Sequence, residues 1–561
     1  MTQITGGAAV VEFLEKNEVE FVIGLIGSST LEILDALYDS KKIKYIGCRD
    51  ERNGTIMADS YGRISGKHGV FLAGQSGPGS VNSTFGSAQA KLAHSPLVIL
   101  SGDVSTKHKG LDTFQEIDQQ KLFEPITKKS FTVNTGAEIN SVLKEAFEVA
   151  ITPKMGSVNI NLPRDVMGET DSFKSPEHYQ LPKFPEINLK SLQKAAELLS
   201  NAKKPVIVVG QGIKNYKSHE VVLSLAELIN SPCVSSAGNQ DSLPHGHPLY
   251  AGMAGPRGNQ IASKLLKEAD VILVLGSRIS FNTTMFSYEY INEEAKIIHC
   301  ETDKISIGRY FKAEVELHAD ATSVAENLLE LLKDHQIRKE VNEWSNKFKS
   351  EYELFLDNRE KEADISSVPI KPSGLFKTLR QVIPKDAIIT VDAGTWCLRA
   401  VSELNYYEPI SLVTPGDFGA IGFSFAAGLG CKLAKPDREV ISLHGDGGFA
   451  FCLADLATSV EYGLNTKTIV MNSKSWGAEK SYVRDYFDSR FLGTDISSPP
   501  FDKIAKLYGL DGYKVEKISE VIDALETSLA VDKPAIIEVA VDEDSLYSFR
   551  RDSFQHKLEK K

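Results

Sequence analysis

The sequence predicts an α/β protein built from three doubly wound, parallel-sheet domains. Short apolar runs alternate with helical patterns along most of the 561 residues, as in parallel strands that are joined by crossover helices. A proline-rich stretch at 175–190 interrupts this alternation, and so does a charged stretch at 333–372. Because a domain averages about 150 residues, a chain of this length exceeds one core. We predict domains at residues 1–180, 190–345 and 373–545.

Each domain contains apolar runs of strand length. The first domain has FVIGLIG, KHGVFLAG and SPLVILSGD. The second has strands at Pro205–Gly210, Val271–Gly276 and Ala295–Cys300. The third begins with AIITVDAG and continues with strands at Glu439–His444 and Lys467–Met471. The apolar spacing of Phe451–Gly463 predicts a crossover helix between these last two strands.

Composition narrows the class of protein. The net charge is 63 − 75 = −12 and no basic stripe is present, so a nucleic-acid partner is not expected. Hydrophobic residues make up 42% and charged residues 25%, which is typical of a folded enzyme. Six cysteines are scattered without CxxC spacing, and no apolar stretch approaches the roughly 20 residues that span a bilayer. We expect a soluble, cytoplasmic protein without a membrane anchor.

Two strand ends in the third domain carry the strongest chemical signal. One strand ends at Gly445-Asp446-Gly447-Gly448, and the next ends at Asn472-Ser473-Lys474-Ser475. A right-handed βαβ unit brings both ends to one edge of the sheet, so Asp446 and the Asn472-Ser473 turn should face each other. Oxygen ligands beside close-packing glycines suit Mg²⁺ or Ca²⁺ bridged to a diphosphate. A purely structural strand-to-helix turn is the alternative interpretation.

This pair of motifs resembles the metal and diphosphate site of thiamine-diphosphate (ThDP) enzymes. In that pattern GDG is followed at this distance by two asparagines. The resemblance implies metal ligands from the Asp446 side chain, from Ser473 and from the backbone carbonyl of Ser475. Ser473 stands where the family has its second asparagine, which is normally the side-chain ligand. A serine hydroxyl is shorter than an amide and a poorer ligand, so weaker metal binding or an intervening water is expected.

The same resemblance assigns a glutamate in the first domain to cofactor activation. ThDP chemistry requires a carboxylic acid at the pyrimidine N1′ atom, and Glu51 stands at the family's position for it. The helix that follows, with Met57-Ala58-Asp59 and Gly62-Arg63, also resembles the family. The alternative is a solvated glutamate in a charged turn. Because Glu51 and the metal motif lie in different domains, the family pattern implies a site between two subunits. We expect a homodimer at least, and a homotetramer as the full assembly.

The remaining cofactor contacts are also implied by resemblance. In the stretch at 414–430, Gly419 matches the residue whose carbonyl accepts from the 4′-amine, and Ile421 matches the apolar wedge that bends the cofactor. A glycine-rich helix start with one core isoleucine is the structural alternative. Gly394 and Thr395 follow the first strand of the third domain and would offer an amide and a hydroxyl to the diphosphate. The remaining backbone contacts would come from Gly445, Gly447 and Gly448.

Several short motifs narrow the reaction. Residues 74–79 and 111–116 resemble substrate-side loops of acetolactate synthases and their relatives, and we predict a catalytic role for Gln115. The set formed by Ile26–Ser28, Ala93–Pro96, Trp476–Lys480, Arg490–Gly493 and Phe549–Asp552 is most similar to sulfoacetaldehyde acetyltransferase. Those enzymes convert sulfoacetaldehyde and phosphate into acetyl phosphate and sulfite. Cations that would bind these anions are Lys480, Arg490, Arg550 and Arg551, and each could equally be a surface charge.

Other assignments stay open. His94 is a predicted proton-transfer residue and His444 a weaker candidate, although a histidine at a strand end is more often structural. Acetolactate synthesis from pyruvate, or another 2-oxo acid decarboxylation, is the alternative reaction. The second domain has no GxGxxG motif, so FAD or ADP is not indicated there. A non-catalytic ThDP-binding regulatory protein is the alternative from a different class, and the retention of Glu51 argues against it.

Overall fold

The computed structural model describes residues 3–545, 548 and 551–558. Its core consists of three six-stranded sheets, in which all pairs of neighbouring strands are parallel. A small antiparallel pair, Ile4–Thr5 with Thr170–Asp171, lies apart from them. The predicted α/β class with three parallel-sheet domains is therefore confirmed. Within the described part of the chain, no helix is long and apolar enough to cross a membrane.

The first sheet has buried central strands and helices on its faces. Its strand order is Lys44–Gly47, Phe21–Leu25, Gly69–Ala73, Leu97–Asp103, Val158–Pro163 and Lys129–Thr132. The strand Leu97–Asp103 is buried at every position, which explains its unbroken apolar character in the sequence. The helices are Gly6–Lys16, Leu31–Asp39, Glu51–Ser65, Pro78–Leu92, Gln119–Phe123, Ile139–Ile151 and Arg164–Gly168.

The middle sheet repeats this architecture. Its strand order is Tyr250–Met253, Cys233–Ser235, Pro205–Val209, Val271–Leu275, Lys296–Glu301 and Ala313–His318. Its helices are Leu189–Asn201, Tyr216–Leu228, Gln260–Glu268, Phe281–Thr284, Ala321–Leu332 and Lys339–Glu362. The last helix occupies the charged stretch that the sequence suggested as a linker. It packs on the middle domain because Val341, Trp344 and Phe348 recur every three or four residues and form one buried face.

The third sheet carries the motifs of interest. Its strand order is Leu412–Val413, Ile388–Val391, Val440–Gly445, Lys467–Asn472, Ala535–Ala540 and Asp511–Val515. Its helices are Pro372–Val382, Thr395–Glu403, Phe423–Ala434, Asp446–Phe449, Leu456–Glu461, Gly477–Tyr486, Phe501–Tyr508, Ile518–Leu529 and Gln555–Leu558. The strands Val440–Gly445 and Lys467–Asn472 pair in parallel, so both motifs end at the same edge.

The connection between those two strands differs from the single predicted helix over Phe451–Gly463. It consists of one α-turn at Asp446–Phe449, a 3₁₀ segment at Ala450–Asp455 and a short helix at Leu456–Glu461. The buried Asp455 carboxylate accounts for the break, because it accepts hydrogen bonds from the first domain, at Arg49 N (2.7 Å) and Asn53 Nδ2 (2.7 Å).

The first and third domains of one chain pack directly through two helices. Helix Glu51–Ser65 lies against helix Phe423–Ala434, and the contact is so close that a Cβ on Gly430 would overlap the carbonyl oxygen of Met57. Arg63, which is paired with Asp59, donates from Nη1 to the carbonyl oxygen of Thr414 at 2.8 Å. The helix that begins at Glu51 is thus fixed against the domain that carries the GDG motif.

Candidate active site

Asp446 and the turn after the next strand meet at the sheet edge. Asp446 is 2% exposed and accepts a hydrogen bond from Ser498 Oγ at 2.6 Å. The backbone amide of Ser473 also donates to its carboxylate. Burial raises the pKa of the Asp446 carboxyl above its ordinary value, although these hydrogen bonds act in the opposite direction. A cation at this position would compensate the buried charge.

The turn itself presents hydroxyl groups rather than amides. Ser473 Oγ and Ser475 Oγ lie 3.0 Å apart, and both residues are buried. Asn472 points away from this pair, because its Nδ2 donates to Glu538 Oε1 at 2.8 Å and its Oδ1 accepts from the Lys474 amide at 3.0 Å. The structure therefore brings Asp446, Ser473 and Ser475 together, while Asn472 is hydrogen-bonded to Glu538 on the neighbouring strand.

These residues fit a divalent cation and a diphosphate. In the described residues, no group of three or more His, Cys, Asp or Glu side chains converges on one point. A metal at Asp446 would therefore depend on hydroxyl, carbonyl and diphosphate oxygens, which Mg²⁺ accepts readily. Space for a ligand lies beside Gly394, Gly419 and Gly445, because a Cβ at any of them would meet no atom within 4 Å. The hydroxyl of Thr395 is buried without a hydrogen-bond partner and would be satisfied by a diphosphate oxygen.

A buried aspartate–histidine pair supports the glycine-rich turn beside this space. Asp392 accepts from the amides of Gly422 (3.2 Å) and Phe423 (2.9 Å), which fixes the start of helix Phe423–Ala434. His444 Nδ1 is 2.9 Å from Asp392 Oδ2, and both side chains are fully buried. The pair holds the segment that contains Gly419 and Ile421 against the GDG strand. His444 thus has a structural partner, consistent with the weaker catalytic expectation for it.

The wedge candidate lies close to the GDG motif. Gly419 has a left-handed conformation with φ +69°, and Ile421 is half-buried. A Cβ added to Gly448 would lie 3.5 Å from Ile421 Cγ1 and would overlap Asp392 Oδ2. Gly447 has no room either, because a Cβ there would overlap the Trp476 ring. Close packing therefore requires glycine at 447 and 448, whereas Gly445 faces open space.

Glu51 is a buried carboxylate at the beginning of its helix. It is 6% exposed, and its Oε2 accepts from Asn82 Nδ2 at 3.0 Å. Its Oε1 faces Gly79, where an added Cβ would lie 3.3 Å away. The solvated-turn alternative does not describe this environment. No hydrogen bond of the described residues joins Glu51 to Asp446, and the neighbouring Arg52 instead donates to the carbonyl oxygen of Phe451 at 2.9 Å.

Gln115 and His94 occupy different places. Gln115 has φ +65°, and its carbonyl oxygen lies against Gly77. Gly77 lies two positions before Gly79, which faces Glu51 Oε1. His94 faces charges at the boundary with the middle domain. Burial, with a smaller effect of the nearby Arg278 and Lys154, lowers the pKa of its imidazole to about 3. His94 is thus neutral near pH 7, and among the described contacts none joins it to Glu51 or Gln115.

The cation candidates differ in their ion pairs and in their exposure. Lys480 Nζ contacts Asp495 Oδ1 and Glu543 Oε2, each at 2.6 Å, so its charge is already compensated. Arg490 is exposed. Arg550 and the side chain of Arg551 lie outside the described residues.

Some site residues gave no signal in the sequence. Ser498 lies in a serine- and proline-rich turn 52 positions from Asp446, and Asn82 lies 31 positions from Glu51. Neither stands in a motif of its own. The sequence offers one hint for Asn82, which is a polar residue about one turn into helix Pro78–Leu92.

Comparison with known proteins covers all three domains. Three family models match: "Thiamine pyrophosphate enzyme, N-terminal TPP binding domain" at 4–122, "central domain" at 192–328 and "C-terminal TPP binding domain" at 392–539. A protein of Methanococcus aeolicus named "Probable acetolactate synthase large subunit" is 32% identical over 97% of this chain and 93% of its own.

Two further relatives also match over nearly their full lengths. The sulfoacetaldehyde acetyltransferase of Alcaligenes xylosoxydans xylosoxydans is 31% identical over 98% of this chain and 95% of its own. The acetolactate synthase large subunit of Lactococcus lactis is 30% identical over 96% and 92%.

Proposed function

The chain belongs to the thiamine pyrophosphate (thiamine diphosphate) enzymes, and on this premise we propose that it is a Mg²⁺-dependent carboligase that forms acetolactate from pyruvate. The observation that carries the cofactor assignment is that the buried Asp446 carboxylate and the Ser473–Ser475 turn follow two paired parallel strands at one sheet edge. The reaction assignment is supported by several relatives named acetolactate synthase that match 96–97% of this chain.

The third domain would bind the diphosphate and its metal. Asp446, the Ser473 hydroxyl and the Ser475 carbonyl would hold Mg²⁺, while Thr395 Oγ1 and the amides near Gly394, Gly447 and Gly448 would bind diphosphate oxygens. Gly419 and Ile421 would orient the ring system. When bound, ThDP supplies a nucleophilic carbon that adds to the substrate carbonyl. Close packing at Gly447 and Gly448 excludes water beneath the motif.

Glu51 would exchange a proton with the bound cofactor. Asn82 occupies Oε2, so Oε1 is the oxygen that remains to exchange a proton with a cofactor nitrogen. The site around Glu51 is buried, which strengthens such a charge-assisted hydrogen bond. Gln115, whose carbonyl oxygen lies against Gly77, would contact the substrate.

Sulfoacetaldehyde acetyltransferase is the second candidate, because a relative with that name matches 98% of this chain. The short sequence motifs favour this reaction. It ranks second here for two reasons. Relatives named acetolactate synthase are more numerous among the matches, and Lys480, one of the cations expected to bind the sulfonate or phosphate, is already paired with two carboxylates.

The test uses the full chain with ThDP and Mg²⁺. Pyruvate alone should yield acetolactate, whereas sulfoacetaldehyde plus phosphate should yield little sulfite. Glu51→Gln should lower kcat by about 100-fold or more, since it removes an acid–base group. Glu124→Gln, an exposed change in the same domain, should leave kcat unchanged. Sulfite and acetyl phosphate without acetolactate would replace the first candidate by the second, and full activity of Glu51→Gln would contradict the role of Glu51.

A further inference from the structure

Three residues form a chain of hydrogen bonds beside Gly79, the glycine that Glu51 Oε1 faces. The Ser28 amide donates to Gln75 Oε1 at 2.9 Å, and Gln75 Nε2 donates to Gln115 Oε1. We call this series the amide relay. Gln75 and Gln115 are both half-buried, so their polar atoms are partly withdrawn from water.

The direction of the amide relay is fixed at its first member. A backbone N–H can only donate, so the Gln75 atom that it meets must be the carbonyl oxygen Oε1. The Gln75 amino group then necessarily faces Gln115 and requires an acceptor there. Gln115 therefore turns its own Oε1 inward. Its Nε2 takes part in no hydrogen bond of the described residues, and it remains as a donor on the outward side.

The backbone holds Gln115 in place independently. Its φ of +65° is uncommon for a residue with a side chain, and its carbonyl oxygen lies where a Cβ of Gly77 would be. Two positions after Gly77, a Cβ on Gly79 would lie 3.3 Å from Glu51 Oε1. Gln115 and Glu51 therefore lie against two glycines that are two positions apart.

We infer that Gln75 is a positioning residue that orients the Gln115 amide so that its N–H groups face the substrate. This inference rests on the proposed function, because it requires a substrate with an anionic or developing negative oxygen. The carboxylate of a 2-oxo acid is such a group, and N–H donors bind it well. Gln75 itself does not touch the substrate; it acts through Gln115.

The sharpest test reverses the polarity of the amide relay. In Gln75→Glu, the carboxylate still accepts from the Ser28 amide, but it can no longer donate to Gln115. Gln115 should flip, give its N–H groups to the introduced carboxylate and present its oxygen to the substrate. The probe is methyl acetylphosphonate, a pyruvate analogue with an anionic phosphonate ester, titrated calorimetrically into the holoprotein with ThDP and Mg²⁺. Its Kd should rise by about tenfold or more.

A double-mutant cycle separates the flip from simple charge repulsion. In a Gln115→Ala background, Gln75→Glu retains only the through-space repulsion, so it should raise Kd by about twofold at most. Two controls are matched to the relay. Ser28→Ala keeps the amide and loses only the longer hydrogen bond from Ser28 Oγ to Gln75 Oε1 (3.3 Å), so it should raise Kd by about twofold at most. Gln120→Glu adds the same charge at an exposed residue of the same domain, whose own hydrogen bond to the Ser130 carbonyl oxygen lies outside the relay, and it should change Kd little.

Each outcome decides a different claim. An equal loss of affinity in both backgrounds, or no loss from Gln75→Glu, would overturn the relay while leaving the proposed function intact. Wild-type holoprotein that does not bind the analogue would overturn the proposed function and the relay together. Unchanged ThDP affinity and unchanged thermal midpoint in Gln75→Glu would confirm that the effect is on the substrate side.

Discussion

Asp446 is the buried carboxylate on which the proposed metal site depends. Hydrogen bonds from Ser498 and the Ser473 amide hold its orientation, yet burial still raises its pKa. The charged form therefore lacks full compensation in the protein alone. The neighbouring Ser473 supplies a short hydroxyl that is engaged with Ser475. Metal affinity should consequently depend on which side chain occupies position 473.

Ser473→Asn should strengthen metal binding. An amide oxygen reaches further than a hydroxyl and is a better ligand for Mg²⁺, so the apparent Kd for Mg²⁺ should fall about fivefold. The measurement is a Mg²⁺ titration in the presence of ThDP, followed by tryptophan fluorescence. Ser475→Ala is the control, because it keeps the backbone carbonyl and should leave the affinity within about twofold. A weaker affinity in Ser473→Asn would indicate that water, rather than the side chain, completes the site.

Individual site residues could be predicted from sequence only where a motif carried them. Asp446 and the turn at Ser473 were placed together correctly, because parallel strand ends converge by topology. The partners of Lys480 could not be predicted. Asp495 and Glu543 lie 15 and 63 positions away and belong to no motif. Contacts of that kind depend on tertiary packing, which leaves no periodic trace in the sequence.

At the scale of elements, the buried strands were the easiest part to predict. Strands such as Val271–Leu275 are buried throughout and read as continuous apolar runs. The helices were harder. The segment after Gly445 is broken into short helical pieces, because the buried Asp455 accepts hydrogen bonds from the first domain. The charged helix Lys339–Glu362 looked like a linker because only four of its residues are buried.

The GDG turn offers two glycines with opposite surroundings. A Cβ at Gly448 would overlap Asp392 Oδ2, whereas a Cβ at Gly445 would meet nothing within 4 Å. Gly448→Ala should therefore destabilise the protein even without cofactor, by about 1–3 kcal/mol through overpacking. Gly445→Ala should leave the thermal midpoint of the cofactor-free protein unchanged and weaken ThDP binding, because it would fill the space for the ligand.

Calorimetric scans with and without ThDP distinguish the two effects. Gly448→Ala should shift the midpoint in both scans. Gly445→Ala should reduce only the stabilisation that ThDP adds, since the stabilisation by a bound ligand grows with the logarithm of its concentration divided by its Kd. Full ThDP stabilisation in Gly445→Ala would show that the open space beside this glycine is not part of the cofactor site.

At the scale of the whole molecule, each chain contains both Glu51 and Asp446, but the contacts beside Glu51 join the first domain to the third domain of the same chain. Arg49, Arg52 and Asn53 flank Glu51 and bind the 451–455 segment of their own chain. That arrangement fixes the first and third domains together, while no described hydrogen bond links Glu51 to Asp446. Resemblance to ThDP enzymes implies a site between two subunits, so we predict that a complete site combines Glu51 of one subunit with Asp446 of another.

Complementation between two inactive variants tests this assembly. Glu51→Gln and Asp446→Ala should each abolish activity in the homo-oligomer. Co-expressed subunits that assemble at random should recover about one quarter of wild-type activity, because each shared site draws its Glu51 half and its Asp446 half independently. Mixing the separately purified variants under conditions without subunit exchange should recover none. Activity that stays absent after co-expression, in oligomers that contain both tagged subunits, would place the whole site within one chain.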